Sequence, residues 1–251
     1  MNPKANPHMY CYHTHTHFCD GTDHPEAYVK EAIRLGFHTL GFSGHAPVPF
    51  KNHFAIPSEK LDEYCRTIRS LQSKYKDKIR ILLALEVDCI PGFMPHHSDL
   101  KEQYGLDYTI GSVHLVAEPE TGALWFIDGP RRETWEQGLQ DVMQSDIRKA
   151  VSLYYKQIRS MVNTDRPAIV GHLDKIVMHN QGQYFQDTDE WYLQEVNDTL
   201  EVIREAGSIV EINTRGLYKK RSDSTFPSTS IIRKLKTMGI PVTIKIERAH
   251  V

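Results

Sequence analysis

Residues 81–87 read Ile-Leu-Leu-Ala-Leu-Glu-Val, six apolar side chains broken by a single carboxylate, Glu86. A run this short and this continuously apolar reads as a strand buried on both faces, the pattern of a parallel sheet covered by helices. Residues 208–213, Ser-Ile-Val-Glu-Ile-Asn, repeat the pattern with Glu211 near the end. Working outward, similar runs occupy residues 9–13, 39–44, 108–114, 168–172 and 240–246. Helical periodicity fills the intervals. One helix opens at Pro25 and closes at Gly36; Ser58 stands as N-cap of the next; others cover 147–162, 191–206 before Gly207, and 228–238 before Gly239. Residues 115–145 read as a long loop followed by a helix. Seven strands interleaved with helices predict an α/β fold with a parallel sheet, closed or doubly wound, and one domain over residues 1–251.

The composition fits. Of 251 residues, 40% are hydrophobic and 25% charged, ordinary for a globular chain. Thirty basic and 32 acidic residues leave a net charge of −2, which argues against a broad nucleic-acid surface. No apolar run approaches the ~20 residues that span a bilayer. The four cysteines are scattered without a CxxC pair, which favours a reducing, cytoplasmic compartment. The sequence carries no signal of oligomeric state. The unusual number is 14 histidines, more than the 9 Phe or 12 Tyr.

Those histidines cluster where strands end. The first strand runs into His13-Thr14-His15, with Asp20 soon after. The second reaches His45, the third carries Glu86, the fourth ends at His114 and the fifth at His172. The sixth carries Glu211 and leads to Arg215. A parallel barrel brings all strand C-termini to one face. Residues two apart in a strand share a side, so His13 and His15 can grip one ion, and Glu86 can bridge two. Five strand ends offering His or Glu predict a metal site. Imidazoles suit Zn and Fe, and carboxylates suit Mn. The remaining histidines are read more plainly. His8, His24, His38, His53 and His179 are expected on the surface or in loops, and His96 and His97 are candidates to line the mouth of the site. His17 is a candidate supporting partner, Cys19 a small buried filler, and the tryptophans packing or a lid edge.

With those residues in view, HTHTHFCDGTDHPEAY (13–28), GFSGHAPVP (41–49), LALEVDCIPG (83–92), TIGSVHL (109–115), IVGHLD (169–174), EINTRGLYKK (211–220) and FPS (226–228) resemble, in order, the PHP (polymerase and histidinol phosphatase) family. Within it they resemble the histidinol-phosphate phosphatase branch. The resemblance runs from about residue 10 to 244. It implies a distorted (β/α)7 TIM-like barrel with up to three divalent ions, zinc, manganese or iron. His13, His15 and Glu86 would hold the first. Glu86 would bridge to a second held with His114 and His172. Asp20 and His45 would help hold a third, Asp20 standing in for a histidine that many members carry where this chain has Gly21. Arg215 lies where the family grips phosphate, and His45 and Arg215 are the catalytic candidates. The implied reaction is hydrolysis of a phosphate monoester, L-histidinol phosphate, with no nucleic-acid or membrane partner. A pocket for the amine and imidazole of that substrate calls for carboxylates or aromatics, which residues 115–135 carry.

The sequence departs from the family at its C-terminus, where members carry an Asp and a His that bind metal. Here Glu247 takes the Asp position without a gap; one inserted residue restores His250 but puts Arg248, which cannot ligate a cation, at the Asp position. Three other readings stand beside the main one: a PHP phosphoesterase with another small substrate, an amidohydrolase-like barrel, and a degenerate member that binds metal with little turnover.

Overall fold

The computed structural model describes residues 9–220 and 222–245. Glu247 and His250, the C-terminal ligand candidates, and His8 lie outside them. The strands are β1 (Met9–Cys11), β2 (Phe37–His45), β3 (Arg80–Asp88), β4 (Tyr108–Ser112), β5 (Leu115–Ala117), β6 (Leu124–Phe126), β7 (Ile169–Val170), β8 (Ile209–Asn213) and β9 (Val242–Lys245). The α-helices are α1 (Pro25–Arg34), α2 (Leu61–Lys74), α3 (His97–Tyr104), α4 (Arg132–Asp141), α5 (Ile147–Asp165), α6 (Glu190–Ala206), α7 (Arg215–Tyr218) and α8 (Thr229–Met238). Seven parallel strands form one sheet in the order β1-β2-β3-β4-β7-β8-β9; β5 and β6 form a separate antiparallel hairpin. No helix among the described residues is long and apolar enough to cross a membrane.

The chain forms two compact units. The first comprises the chain through Val87, Ser98–Ile110 and the end from Lys245; the second comprises Asp88–His97 and Gly111–Ile244. In the first, β2 and β3 set the geometry. Every residue from Ile81 to Asp88 is buried, as an apolar run paired on both edges requires. The register sets Thr39 against Arg80 and runs to His45 against Glu86, which places these two side chains next to each other. β1 pairs with β2 through Cys11 and Leu40, and the Ser43 amide donates to Thr14 O at 3.0 Å. The ladder thus continues past the end of β1 and carries the His13–His15 segment alongside. α1 begins with Pro25 in its first turn, where a missing N–H costs nothing, and the His24 ring accepts the Glu26 amide. Val29 and Ala32 bury its inner face. α2 presents Leu61, Tyr64, Cys65, Ile68 and Leu71 at helical spacing. Ser58 is not its cap. The Lys60 amide bonds back to Pro57 O at 2.8 Å, closing a 3₁₀ turn over Ser58–Lys60, and α2 starts only at Leu61.

In the second unit α5 and α6 supply the core. Asp146 caps α5 by accepting the Lys149 amide at 2.9 Å. The α5 stripe of Ala150, Val151, Tyr154, Tyr155, Ile158, Met161 and Val162 packs in one cluster with Tyr192, Val196, Leu200 and Ile203 of α6. Gly207 and Gly239 close α6 and α8 at φ +74° and +70°, left-handed positions that glycine takes without a side-chain clash. Residues 115–145 hold more order than their pattern predicts. β5 and β6 turn around Glu118, whose Oε2 accepts the amides of Glu120 and Thr121 at 3.0 and 2.8 Å. Trp125 and Trp135 are buried beside the hairpin and α4, with the Trp125 indole N–H donating to Trp135 O at 2.9 Å. These tryptophans are packing.

Candidate metal centre

The loop after β1 folds back tightly. Cys19 and Gly21 both donate their amides to Thr16 O, at 2.9 and 3.1 Å. A Cβ on Gly21 would collide with the backbone of His15 and Thr16, so only glycine permits the loop to close. The closure returns Asp20 to His15. Three expected residues of the first unit, His13, His15 and His45, meet Glu86, and Asp20 joins them through His15 and His45.

His13 Nε2 lies 2.8 Å from His15 Nε2 and 2.9 Å from Glu86 Oε2. His15 Nε2 is 3.3 Å from the same oxygen, and His45 Nδ1 is also 3.3 Å from it. His13 and Glu86 are buried. Two imidazole nitrogens and a carboxylate oxygen aimed at one point form an electron-rich knot. A shared proton satisfies one pair at a time, whereas a divalent cation satisfies all three. Ligand atoms ~2.0–2.2 Å from one zinc lie roughly 3–3.5 Å from one another, so this donor set fits such an ion. His15, Cys19 and Asp20 form a neighbouring group of potential ligands.

Electrostatics follow from the same contacts. Burial pushes the Glu86 carboxyl up, but His13 and His45 beside it, with hydrogen bonds from His13 and His15, hold it well below the usual carboxylate range. Burial and the Lys245 ammonium push His15 down; Cys19 and Asp20 overcome both and raise it. His15 Nδ1 is 3.0 Å from Asp20 Oδ1 and 3.4 Å from Cys19 Sγ. In the neutral ring that binds a cation, a proton on Nδ1 donated to Asp20 leaves the Nε2 lone pair facing Glu86, the way a carboxylate orients a metal-binding histidine. Asp20 also lies 3.9 Å from His45 Nε2.

The second unit brings His114 and His172 together, their ring centroids 4.7 Å apart. Asp88, the last residue of β3, controls His114. One of its oxygens, Oδ1, accepts both the His114 amide at 3.1 Å and the ring Nδ1–H at 2.6 Å. That fixes the tautomer with the proton on Nδ1 and the lone pair on Nε2. His172 sits at φ +25°, a conformation that costs energy for a non-glycine and recurs at functional sites. Its amide donates to Glu211 Oε2 at 3.4 Å, and Asn213 Nδ2 donates to that oxygen at 3.0 Å. Arg215 opens α7, its amide bonded to Asn213 Oδ1 at 2.9 Å.

Other histidines have local duties. His17 stacks on His24 and lies tilted against Phe18. His96 Nδ1 lies 2.8 Å from Asp165 Oδ1, and the His97 amide donates to the same oxygen at 3.3 Å, securing the end of α5. His179, expected on the surface or in a loop, lies in a loop but is buried, and its Nε2 donates to Gly129 O at 2.7 Å. Sequence reading passed over Asp88, although its position two residues beyond Glu86 in a strand was a usable signal. It also passed over Asp128 and Lys175, paired at 2.8 Å; nothing in their spacing links them.

Comparison with known proteins bears on this geometry. The model of the PHP domain matches residues 12–215. The histidinol-phosphatase of Bacillus subtilis is 24% identical over 253 residues, spanning 92% of this chain and 89% of its own. The solved hisK chain of Listeria monocytogenes superimposes with a TM-score of 0.80 at 22% identity, over 94% of this chain and 93% of that one. The histidinol phosphate phosphatase of Lactococcus lactis, solved with zinc, L-histidinol and phosphate, gives a TM-score of 0.63 at 22% identity, over 95% and 85%. The fold class is the expected one, a TIM-like (β/α)7 arrangement.

Proposed function

This chain belongs to the PHP domain family, and from that premise we propose that it is a metal-dependent phosphatase hydrolysing L-histidinol phosphate to L-histidinol and phosphate. The observation that carries the reading is the meeting of His13 Nε2, His15 Nε2 and Glu86 Oε2 within 3.3 Å. The named relatives support the substrate: one is a histidinol-phosphatase, and another was solved with L-histidinol and phosphate. Residues 1–251 are taken as one catalytic domain acting in the cytoplasm.

The proposed metal ligands are His13, His15, Asp20, His45, Glu86, His114 and His172, for three ions of zinc, manganese or iron. Bound divalent cations supply Lewis-acid charge, which polarises phosphoryl oxygens and acidifies water. The protein's own residues do the rest. Asp20 and Asp88 keep the imidazoles of His15 and His114 in the tautomer that presents Nε2. Glu86, ionised by its histidine neighbours, contributes the negative charge that makes the donor set selective for dications. Arg215 suits a bidentate grip on the phosphoryl oxygens, where planar guanidinium geometry matches. The departing alkoxide needs a proton, and His45 or His17, acting through water, is the candidate carrier, a task for which an imidazole is matched near neutral pH.

The test is turnover of a panel of phosphate monoesters by protein loaded with zinc, manganese or iron. Histidinol phosphate is expected to exceed simple sugar phosphates in kcat/KM by at least tenfold. Equal rates across the panel would remove the narrow substrate assignment.

A further inference from the structure

Asp128 follows directly on Ile127, where the chain leaves β6 for α4, outside every strand end that carries an expected ligand. The segment is fixed on both sides. The Ile127 amide donates to His114 O at 2.9 Å, tying the loop to the backbone of a proposed ligand. Gly129 O accepts from the buried His179 ring at 2.7 Å. Between these anchors Asp128 Oδ1 accepts from Lys175 Nζ at 2.8 Å. Lys175 is itself 2% exposed, with its ammonium 5.0 Å from the centroid of the Phe226 ring. The other carboxylate oxygen, Oδ2, lies 3.7 Å from His114 Nε2. That separation exceeds a hydrogen bond. It matches two ligand atoms each ~2.0–2.2 Å from one zinc at a wide angle. Because Asp88 engages Nδ1, Nε2 is the atom of His114 with a lone pair to give.

We propose that Asp128 is a further metal ligand: its Oδ2 and His114 Nε2 address one divalent-cation position beside His172, and Lys175 holds the carboxylate in place from its far oxygen. The proposal rests on the metal-dependent reading above. It gives the buried lysine a purpose. The carboxylate stands between ammonium and cation, so each positive charge meets a carboxylate oxygen before it meets the other. A simple salt bridge anchoring the loop would explain the Lys175 contact, but not the aim of Oδ2 at the donor atom of His114.

The experiment measures metal, not only turnover. Wild-type protein, Asp128→Asn, Lys175→Met and the double variant Asp128→Asn/Lys175→Met are loaded with zinc and freed of unbound ion. Bound zinc per chain is read by elemental analysis, and affinity by competition with a chelator. The double variant leaves no buried ammonium unpaired, so it remains informative if Asp128→Asn alone does not fold. Lys175→Met is expected to keep the wild-type zinc content. Both variants lacking Asp128 are expected to lose one zinc or to hold it roughly 10- to 100-fold more weakly. Unchanged stoichiometry and affinity in the double variant overturn the proposal; a fall in turnover with unchanged zinc makes Asp128 a substrate contact instead. Wild-type protein that holds no zinc, manganese or iron overturns the metal-dependent reading itself, and the Asp128 proposal with it.

Discussion

Asp20 and Asp88 each place a carboxylate on the Nδ1 of a histidine, so His15 and His114 depend on these partners for their orientation. Replacing Asp88 by alanine is expected to weaken zinc binding roughly 10- to 100-fold. Asparagine, whose side-chain oxygen still accepts from Nδ1, should restore most of it; competition titration of both variants checks this. Glu86→Gln removes a charged ligand outright and should lower zinc affinity by roughly a hundredfold or more, read as bound metal after gel filtration. Asp174 behaves differently. Burial raises its carboxyl to about 7 against the Ser228 amide and the Lys175 charge, which pull it down. An unfolded aspartate titrates at about 3.9. Between those values the unfolded chain releases the proton and the folded chain keeps it, so stability falls as pH rises through that window and levels off above it. The full effect is on the order of 4 kcal/mol. Asp174→Asn should abolish it, making the variant increasingly the more stable protein in denaturant unfolding as pH moves from about 4 to about 8. At this scale histidines and Glu86 were legible because strand ends announce them. Asp128 was not, because a loop residue has no period from which its direction can be read.

The elements show the same division. β3 and β8 were legible as apolar runs, since burial on both faces leaves no alternation to blur. The caps Gly207 and Gly239 closed α6 and α8 as read. The strand at residues 168–172 shrank to Ile169–Val170, because the left-handed turn at His172 ends the extended geometry early. α3 escaped notice because only Leu100 of its eight residues is a large aliphatic, too few to mark a face. The β5–β6 hairpin escaped because Glu118, not a glycine-centred two-residue turn, organises it. Its contact with α4 is tight: a Cβ on Gly138 would run into the Trp125 ring. Trp125 is fully buried and its N–H is committed to Trp135 O, so it has little room to yield. Gly138→Ala should therefore destabilise the second unit by about 1–3 kcal/mol, seen as a lower melting temperature. Zinc binding by the first unit's His13, His15 and Glu86 should persist in that variant.

For the molecule as a whole, charge balance and an alternating α/β pattern define the class of protein, and the order of seven motifs carries its family. Sequence could not supply the tautomers, the return of Asp20 through a glycine-tight loop, or the pinning of Asp128, because each depends on atoms brought together by folding. The near-neutral net charge of −2 fits a small-molecule substrate drawn by a local site. On the proposed reading, these imidazoles and carboxylates hold the ions on which hydrolysis of histidinol phosphate depends. The most direct test is a zinc titration of metal-stripped, full-length protein with phosphate release from L-histidinol phosphate as the readout. Release is predicted to be negligible without metal and to rise with bound zinc to a stoichiometric plateau. Turnover that persists in the stripped protein, or a fully zinc-loaded protein that releases no phosphate from this substrate, would contradict it.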